Sequence, residues 1–327
     1  MLKISIIILN YNSLTLVKSC LQSFEKYSPQ VDYEIIIANN DNNYNAFKDF
    51  SKHYPEIKFI QNTGNWGFSS GCNLGASIAS GKYLLFLNPD TELTATPAID
   101  KMVDVLEKND DIGICSCKLI PPKGEIEVDD LSMRWSSPWA YINLVEKIHS
   151  IVYKNKIYQR LSKDGSLFYT DFIMGAVLLI SVDDFKKIKG WGDDTYWMYF
   201  EDNDICNKVS KRLNKKLAEL RHYEILHIGG GASDEGNAMK IAMITSRYSY
   251  IYHNSYGLSK AAVFFILLSC IVKNLFIPII KLSLNVLLFN RKKIEKYKYI
   301  TIEVFKYYLK SVKRRTWNSD KLEREKR

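Results

Sequence analysis

Unbroken apolar runs alternate with apolar residues at helical spacing through residues 3–119, and few folds accommodate that pattern. Lys3–Leu9, Tyr33–Ala38, Ile57–Ile60, Tyr83–Leu87 and Ile112–Leu119 read as strands, several apolar enough to be buried on both faces. Leu14, Val17, Cys20, Leu21 and Phe24 recur at helical spacing, with Ser13 placed to cap that helix. Gly71–Ser80 forms a small-residue helix and Ile99–Leu106 another. Strands separated by helices predict an α/β fold with an open, mostly parallel sheet flanked by helices. At 327 residues the chain holds one large α/β domain plus an appendage.

Further along, Pro121–Gly165 is charged and aromatic loop material with a weak helix near Ile142–Ile151. A strand is expected over Phe172–Ile180, a helix over Val182–Lys189, a turn at Gly190–Asp194 and a helix over Glu201–Arg212. A last strand reaches His227, and Met239–His253 is expected to close the domain. The resulting division is a domain over 1–257, with halves of 1–120 and 121–257, and a helical extension over 258–327.

The run Leu84–Leu87 stops at Asn88-Pro89-Asp90. Ligands of open α/β sheets collect outside the carboxyl ends of strands, and Pro89 after the strand is expected to forbid further ladder pairing and hold Asp90 at that rim. Asp90 is therefore a candidate anchor for Mg or Mn and a diphosphate, since hard cations take oxygen ligands and bridge carboxylates to phosphates. A turn with a solvated Asp is the plain alternative.

No G-x-G-x-x-G follows the first strand, so a dinucleotide fold is disfavoured. Asn10-Tyr11-Asn12 stands there, suited either to a nucleobase or ribose or to capping the next helix. Asn65–Asn73, with Gly67 and Gly71, places glycines and polar groups at a helix start, where free N–H groups favour an anion; a glycine-permitted loop serves equally. In Glu201-Asp202-Asn203-Asp204, Glu201 and Asp204 share a helix face while Asp202 points about 100° away. Crowded carboxylates suit a general base, and an acidic first turn also suits the helix dipole. The preceding run from Trp191 to Phe200 is too polar for a core and suits sugar faces. His227, before three glycines, either completes a metal shell with Asp90 or is simply hydrogen-bonded.

Six scattered cysteines (Cys20, Cys72, Cys115, Cys117, Cys206, Cys270) show no metal spacing and read as reduced core thiols. Ile4–Leu9 is too short for a signal peptide, so a cytoplasmic setting is expected. The net charge of +9 belongs to residues 291–327, with 14 Lys/Arg against 5 Asp/Glu; the remainder is balanced, which argues against nucleic acid. Ala261–Phe289 is apolar but interrupted by Lys273, Pro278 and Lys281, borderline for a spanning helix. An interfacial helix fits better, giving peripheral contact with the inner face of the cell membrane; a helical hairpin packed on the domain is the alternative.

Taken in order, Ile6–Asn12, Asn65–Gly75, Asn88-Pro89-Asp90, Gly175–Ile180, Gly190–Cys206 and His227–Ser233 resemble family 2 glycosyltransferases of the GT-A fold, in the rhamnosyltransferase-like branch. The resemblance covers about residues 3–257. It implies that Asn88-Pro89-Asp90 is a variant of the metal-binding Asp-x-Asp motif, that Asp202 is the catalytic base, and that His227 is a metal or diphosphate contact. It also implies a divalent cation and a nucleotide-diphosphate sugar held by Asn10, Tyr11, Asn12, Asn39, Gly67, Asn73, Asn88 and Asp90. Trp191, Trp197, Tyr199 and Glu201 would line the side of a saccharide acceptor, lipid-linked in cell-surface polysaccharide or O-antigen assembly. Asn39 and Asn88 replace acids of the family pattern, which leaves the nucleotide preference open and implies weak metal affinity. They also motivate the alternative of a glycan-binding scaffold without chemistry.

Overall fold

The computed structural model describes residues 2–122, 161–192, 195–229, 237–253, 260–287 and 291–314. These form two compact units. The first takes in residues 2–122, 161–192 and 201–229; the second takes in 195–200, 237–253, 260–287 and 291–314. The expected helix near Ile142–Ile151 lies outside the described residues, as do 230–236 and 315–327.

The first unit is built on one sheet with strands β1 (Ile4–Asn10), β2 (Tyr33–Asn39), β3 (Lys58–Gln61), β4 (Tyr83–Leu87), β5 (Thr91–Leu93), β6 (Ile112–Ile120), β7 (Leu167–Thr170), β8 (Val177–Ser181) and β9 (Lys216–His227). Their order is β3-β2-β1-β4-β8-β6-β9-β5, with β7 also on β9. The parallel character expected from the βαβ alternation holds over β3-β2-β1-β4 and again between β6 and β9. Beyond β4 the sheet is mixed, because β8 runs antiparallel to both neighbours and β5 and β7 run antiparallel to β9. Val177–Ser181 is shorter than the strand expected over Phe172–Ile180, since Phe172 and Ile173 are buried but lie before the ladder.

The apolar runs are continuous because both faces of the sheet are covered. Along β1, Ile4, Ile6 and Ile8 pack on one face, and Ile7 and Leu9 on the other. Each such side chain contributes about 2 kcal/mol by leaving water. The first face is covered by α1 (Leu14–Lys26), through Val17, Cys20, Leu21 and Phe24, and by α4 (Ala98–Lys108), through Ile99, Met102, Val103 and Leu106. α2 (Tyr44–Ser51) adds Phe47.

The second face takes α3 (Phe68–Ser77), α5 (Val182–Lys187) and α6 (Glu201–Arg212). α3 lies close against β1. A Cβ at Gly71 would overlap Leu9 Cδ1, and one at Gly75 would sit 2.5 Å from Ile7 Cγ2.

All six cysteines are free and buried, as expected of core thiols. Burial pushes the Cys20 thiol up to about 12.

In the second unit, α7 (Asn237–His253), α8 (Lys260–Leu287) and α9 (Arg291–Arg314) share a core of Tyr248, Ile251, Ile266, Leu267, Cys270, Ile300, Val304 and Tyr307. α7 thus packs with the C-terminal helices. Pro278 lies inside α8. No helix among the described residues is long and apolar enough to cross a membrane.

Candidate active site

The carboxyl ends of β1, β2 and β3 lie on one rung, because the parallel register sets Asn10 opposite Asn39 and Asn39 opposite Gln61. Their amides bond each other. Asn10 Nδ2 donates to Asn39 Oδ1 at 2.5 Å, and Asn39 Nδ2 donates to Gln61 Oε1 at 2.7 Å and to the Asp41 carbonyl at 3.2 Å. The Asp41 N–H donates to Asn39 Oδ1 at 3.2 Å.

Asn10 Oδ1 accepts from the Ser13 N–H at 3.1 Å and the Ser13 hydroxyl at 3.0 Å. The start of α1 is therefore capped by Asn10 rather than by Ser13, whose side chain makes no cap bond. Asn10 and Asn39 are fully buried, so both serve first to lock the strand ends together. Tyr11 and Asn12 are exposed beyond them, Asn12 in the left-handed region at φ 52°.

A second amide layer went unremarked in the sequence. Asn40 Nδ2 donates to the Gly67 carbonyl at 2.8 Å, and Asn40 Oδ1 accepts from Asn62 Nδ2 at 3.0 Å. The visible signal is the amide pairs Asn39-Asn40 and Gln61-Asn62 ending successive strands. This layer fixes the loop into α3, where Gly67 adopts φ 93°.

Asn73, on the same helix, is engaged with the main chain of Trp191. Its Nδ2 donates to the Trp191 carbonyl and its Oδ1 accepts the Trp191 N–H, both at 3.0 Å. The Trp191 ring is not open to an acceptor, contrary to expectation. It is 1% exposed and stands edge-on to Phe68 and Phe86, at 5.4 and 5.1 Å between centroids. The Asn73 clamp and the left-handed Gly190 turn the chain so that this aromatic enters the core.

The second rim carries charge. β4 ends at Leu87, the Asn88 N–H donates to the Ala176 carbonyl at 2.9 Å, and the Asn88 carbonyl accepts from the Thr91 hydroxyl at 2.6 Å. Pro89 does not end pairing altogether: the chain resumes as β5 on β9, with Thr91 opposite His227. That ladder, with the Ile228 N–H donating to the Asp90 carbonyl at 2.9 Å, brings Asp90 beside His227.

Asp90 Oδ1 lies 3.5 Å from His227 Nε2. The Asp90 residue is 7% exposed, and Oδ1 is buried without a hydrogen-bond partner. A buried carboxylate oxygen that makes no hydrogen bond among the described residues is costly unless something else meets it. The donor set, one carboxylate oxygen and one imidazole nitrogen, fits part of a Mg or Mn shell whose remainder comes from phosphate and water. No group of three metal-binding side chains occurs among the described residues.

The acidic focus at the start of α6 divides as its helical spacing predicts, with Glu201 and Asp204 buried and Asp202 half-buried. Asp204 is committed to Lys208 at 2.8 Å, and Lys208 Nζ also lies 3.4 Å from the Gly190 carbonyl. Glu201 is close enough to α3 that, after burial, its charge is the next influence raising the Cys72 thiol. Asp202 Oδ1 accepts from the Asn203 N–H at 2.9 Å.

Tyr199 and Phe200, just before this helix, both adopt φ 70°, a conformation that costs an ordinary residue on the order of 1 kcal/mol. Trp197 and Tyr199 are half-buried and belong to the second unit, where the Ser246 hydroxyl donates to the Met198 carbonyl at 2.6 Å. Trp191, Glu201 and Asp202 belong to the first unit.

The model of glycosyl transferase family 2 matches residues 5–175, more than half the chain. The chain belongs to that family. It is 24% identical over 235 residues to an uncharacterized glycosyltransferase of Escherichia coli K12, YibD, covering 68% of each. It is also 24% identical over 215 residues to the rhamnosyltransferase WbbL of the same organism, covering 63% of this chain and 76% of that one. Among solved structures, a mannosyltransferase from Pyrobaculum calidifontis in complex with GDP-Man and Mn2+ is similar at a TM-score of 0.51 and 12% identity, covering 94% of this chain and 87% of that one. The likeness extends to the fold, which is that of GT-A glycosyltransferases.

Proposed function

We propose that this family 2 glycosyltransferase is an inverting enzyme moving a hexosyl group, with L-rhamnose from dTDP-L-rhamnose as the first donor to test, onto a saccharide acceptor. The observation that carries the reading is the buried Asp90 Oδ1, unpartnered by any hydrogen bond and 3.5 Å from His227 Nε2 at the strand ends. The rhamnosyltransferase relative and the Mn2+ in the solved mannosyltransferase support the donor class and the cation.

Asp90 and His227 would hold Mg or Mn against the donor diphosphate, and a cation bound there would offset the charge of the departing group. With one acid in place of two, the affinity should be weak. Tyr11 and Asn12 would contact the nucleoside, while Asn10, Asn39, Gly67, Asn73 and Asn88 shape the loops around it.

Asp202 is assigned the proton transfer. The acceptor oxygen forms its bond to the anomeric carbon as the carbon–diphosphate bond breaks on the opposite face, and the hydroxyl proton passes to the Asp202 carboxylate. Of the three acids, Asp204 is neutralised by Lys208 and Glu201 is buried, which leaves Asp202 the better exposed. Glu201, Trp197 and Tyr199 are proposed for the acceptor side. Trp191 would support that side from the core without touching sugar. A lipid-linked saccharide is the proposed acceptor, in assembly of a cell-surface polysaccharide at the cytoplasmic face.

The replacements Asn39 and Asn88 keep a second reading open, that of a glycan-binding scaffold. A panel of nucleotide-diphosphate sugars, followed by nucleoside diphosphate release with Mn2+, separates the two. Release that falls on the order of 100-fold or more in Asp202→Asn, with donor binding retained, supports the transferase. No release with any donor, while glycans still bind, supports the scaffold; undiminished release in Asp202→Asn overturns the base assignment.

A further inference from the structure

Among the described residues, the second unit exposes an apolar surface that its helices do not cover. α8 turns Ile266, Leu267 and Cys270 inward against α7 and α9. Its other side carries Phe265, Leu268, Val272, Phe276 and Ile279 at helical spacing, with Phe265 65% and Phe276 63% exposed. At 1.5 Å per residue this stripe runs about 21 Å. On α9, Tyr299, Ile302, Phe305 and Leu309 stand exposed on one side, while Ile300, Val304 and Tyr307 face inward. Continuous exposed apolar surface on this scale marks an interaction site.

The charge pattern selects the occupant. Residues 237–290 contain no Asp or Glu but five Lys or Arg, and residues 291–327 carry 14 Lys/Arg against 5 Asp/Glu. A second copy of the chain would set one cationic surface against another, which costs affinity. An anionic bilayer accepts both features: the aromatic and aliphatic side chains enter the acyl boundary and the lysines meet the headgroup phosphates. The helices must lie in the membrane plane, because none among the described residues is long and apolar enough to span it.

We propose that α8 and α9 dock in the plane of an anionic lipid surface. The proposal is independent of the sugar-transfer reading.

The test is sedimentation of the full chain with vesicles of phosphatidylcholine alone or mixed with phosphatidylglycerol, beside the double variant Phe265→Glu/Phe276→Glu. Both positions are exposed, so the variant should keep the wild-type circular dichroism. The expected results are binding to the mixed vesicles that weakens with salt and falls roughly tenfold or more in the variant. Hydrogen exchange on the unaltered chain gives a second readout, with protection over 260–309 appearing on addition of mixed vesicles. Wild-type protein left in the supernatant, equal sedimentation of the variant, or protection confined to 2–229 would each overturn the proposal. A dimer in solution that the variant dissociates would assign the face to a second copy and overturn it equally.

Discussion

Two rims of the same sheet treat their polar groups in opposite ways. At the ends of β1, β2 and β3, the buried amides of Asn10 and Asn39 and the half-buried amide of Gln61 bond one another and the nearby main chain. At the junction of β4, β5 and β9, the buried Asp90 keeps an oxygen without a hydrogen bond beside His227. A saturated network stiffens the frame, because each bond it makes would cost about 1–3 kcal/mol to leave unmade. A buried carboxylate left unsaturated adds little to stability and is retained for what it can bind. Position at a strand end is common to both rims; the difference lies in what remains unspent.

That contrast is open to direct attack. Asp90→Asn should lower transfer on the order of 100-fold or more while leaving the melting temperature unchanged or higher, since it removes a buried charge that makes no hydrogen bond through Oδ1 among the described residues. A large loss of stability in that variant would mean that Asp90 belongs to the frame. Asn39→Ala should do the reverse, costing about 1–3 kcal/mol in denaturant unfolding while the turnover of the folded fraction stays within a few-fold. A collapse of turnover at undiminished stability would move Asn39 to the reactive side of the comparison.

Gly71→Ala sharpens the role of the α3 contact, on which the Gly67 loop and the Asn73 clamp depend. Its Cβ would overlap Leu9 Cδ1, so a cost of about 1–3 kcal/mol is expected from overpacking, visible as a lowered denaturation midpoint.

The smallest effect belongs to the amino ends of the same strands. Burial pushes the Glu34 carboxyl up, but hydrogen bonds from Lys58, Ser5 and the main chain and hydroxyl of Ser80 outweigh it and hold the group at about 2. Because the folded value is depressed, the stabilisation is complete above the usual carboxylate range and is lost as pH falls towards 2. Glu34→Gln should therefore cost about 1–2 kcal/mol at neutral pH and nothing near pH 2, in unfolding measured across that window. A pH-independent difference would remove the carboxylate from the explanation.

The strands buried on both faces were legible because two-sided burial leaves unbroken apolar runs, as in Ile4–Leu9 and Tyr83–Leu87. β5 and β7 were not. They have three and four residues, too few for a period to emerge, and β5 follows a proline. That gap concealed why Asp90 and His227 meet, since their proximity depends on the β5–β9 ladder across more than a hundred residues. The division of the acids at 201–204 was legible from helical geometry alone. The burial of Trp191 was not, because Gly190 and the Asn73 clamp set its direction and no periodicity encodes an irregular turn. The amide row stood in plain sight as Asn10, Asn39 and Gln61, but only the register shows that these residues face one another rather than a ligand.

The most direct test of the central claim is calorimetric titration of a nucleoside diphosphate into the wild type and Asp90→Asn, each with Mn2+ and with a chelator. Wild-type affinity should rise with Mn2+ by about tenfold or more, and that increment should vanish in Asp90→Asn. An undiminished Mn2+ increment in the variant would contradict the assignment of Asp90 and His227 as the cation-binding rim.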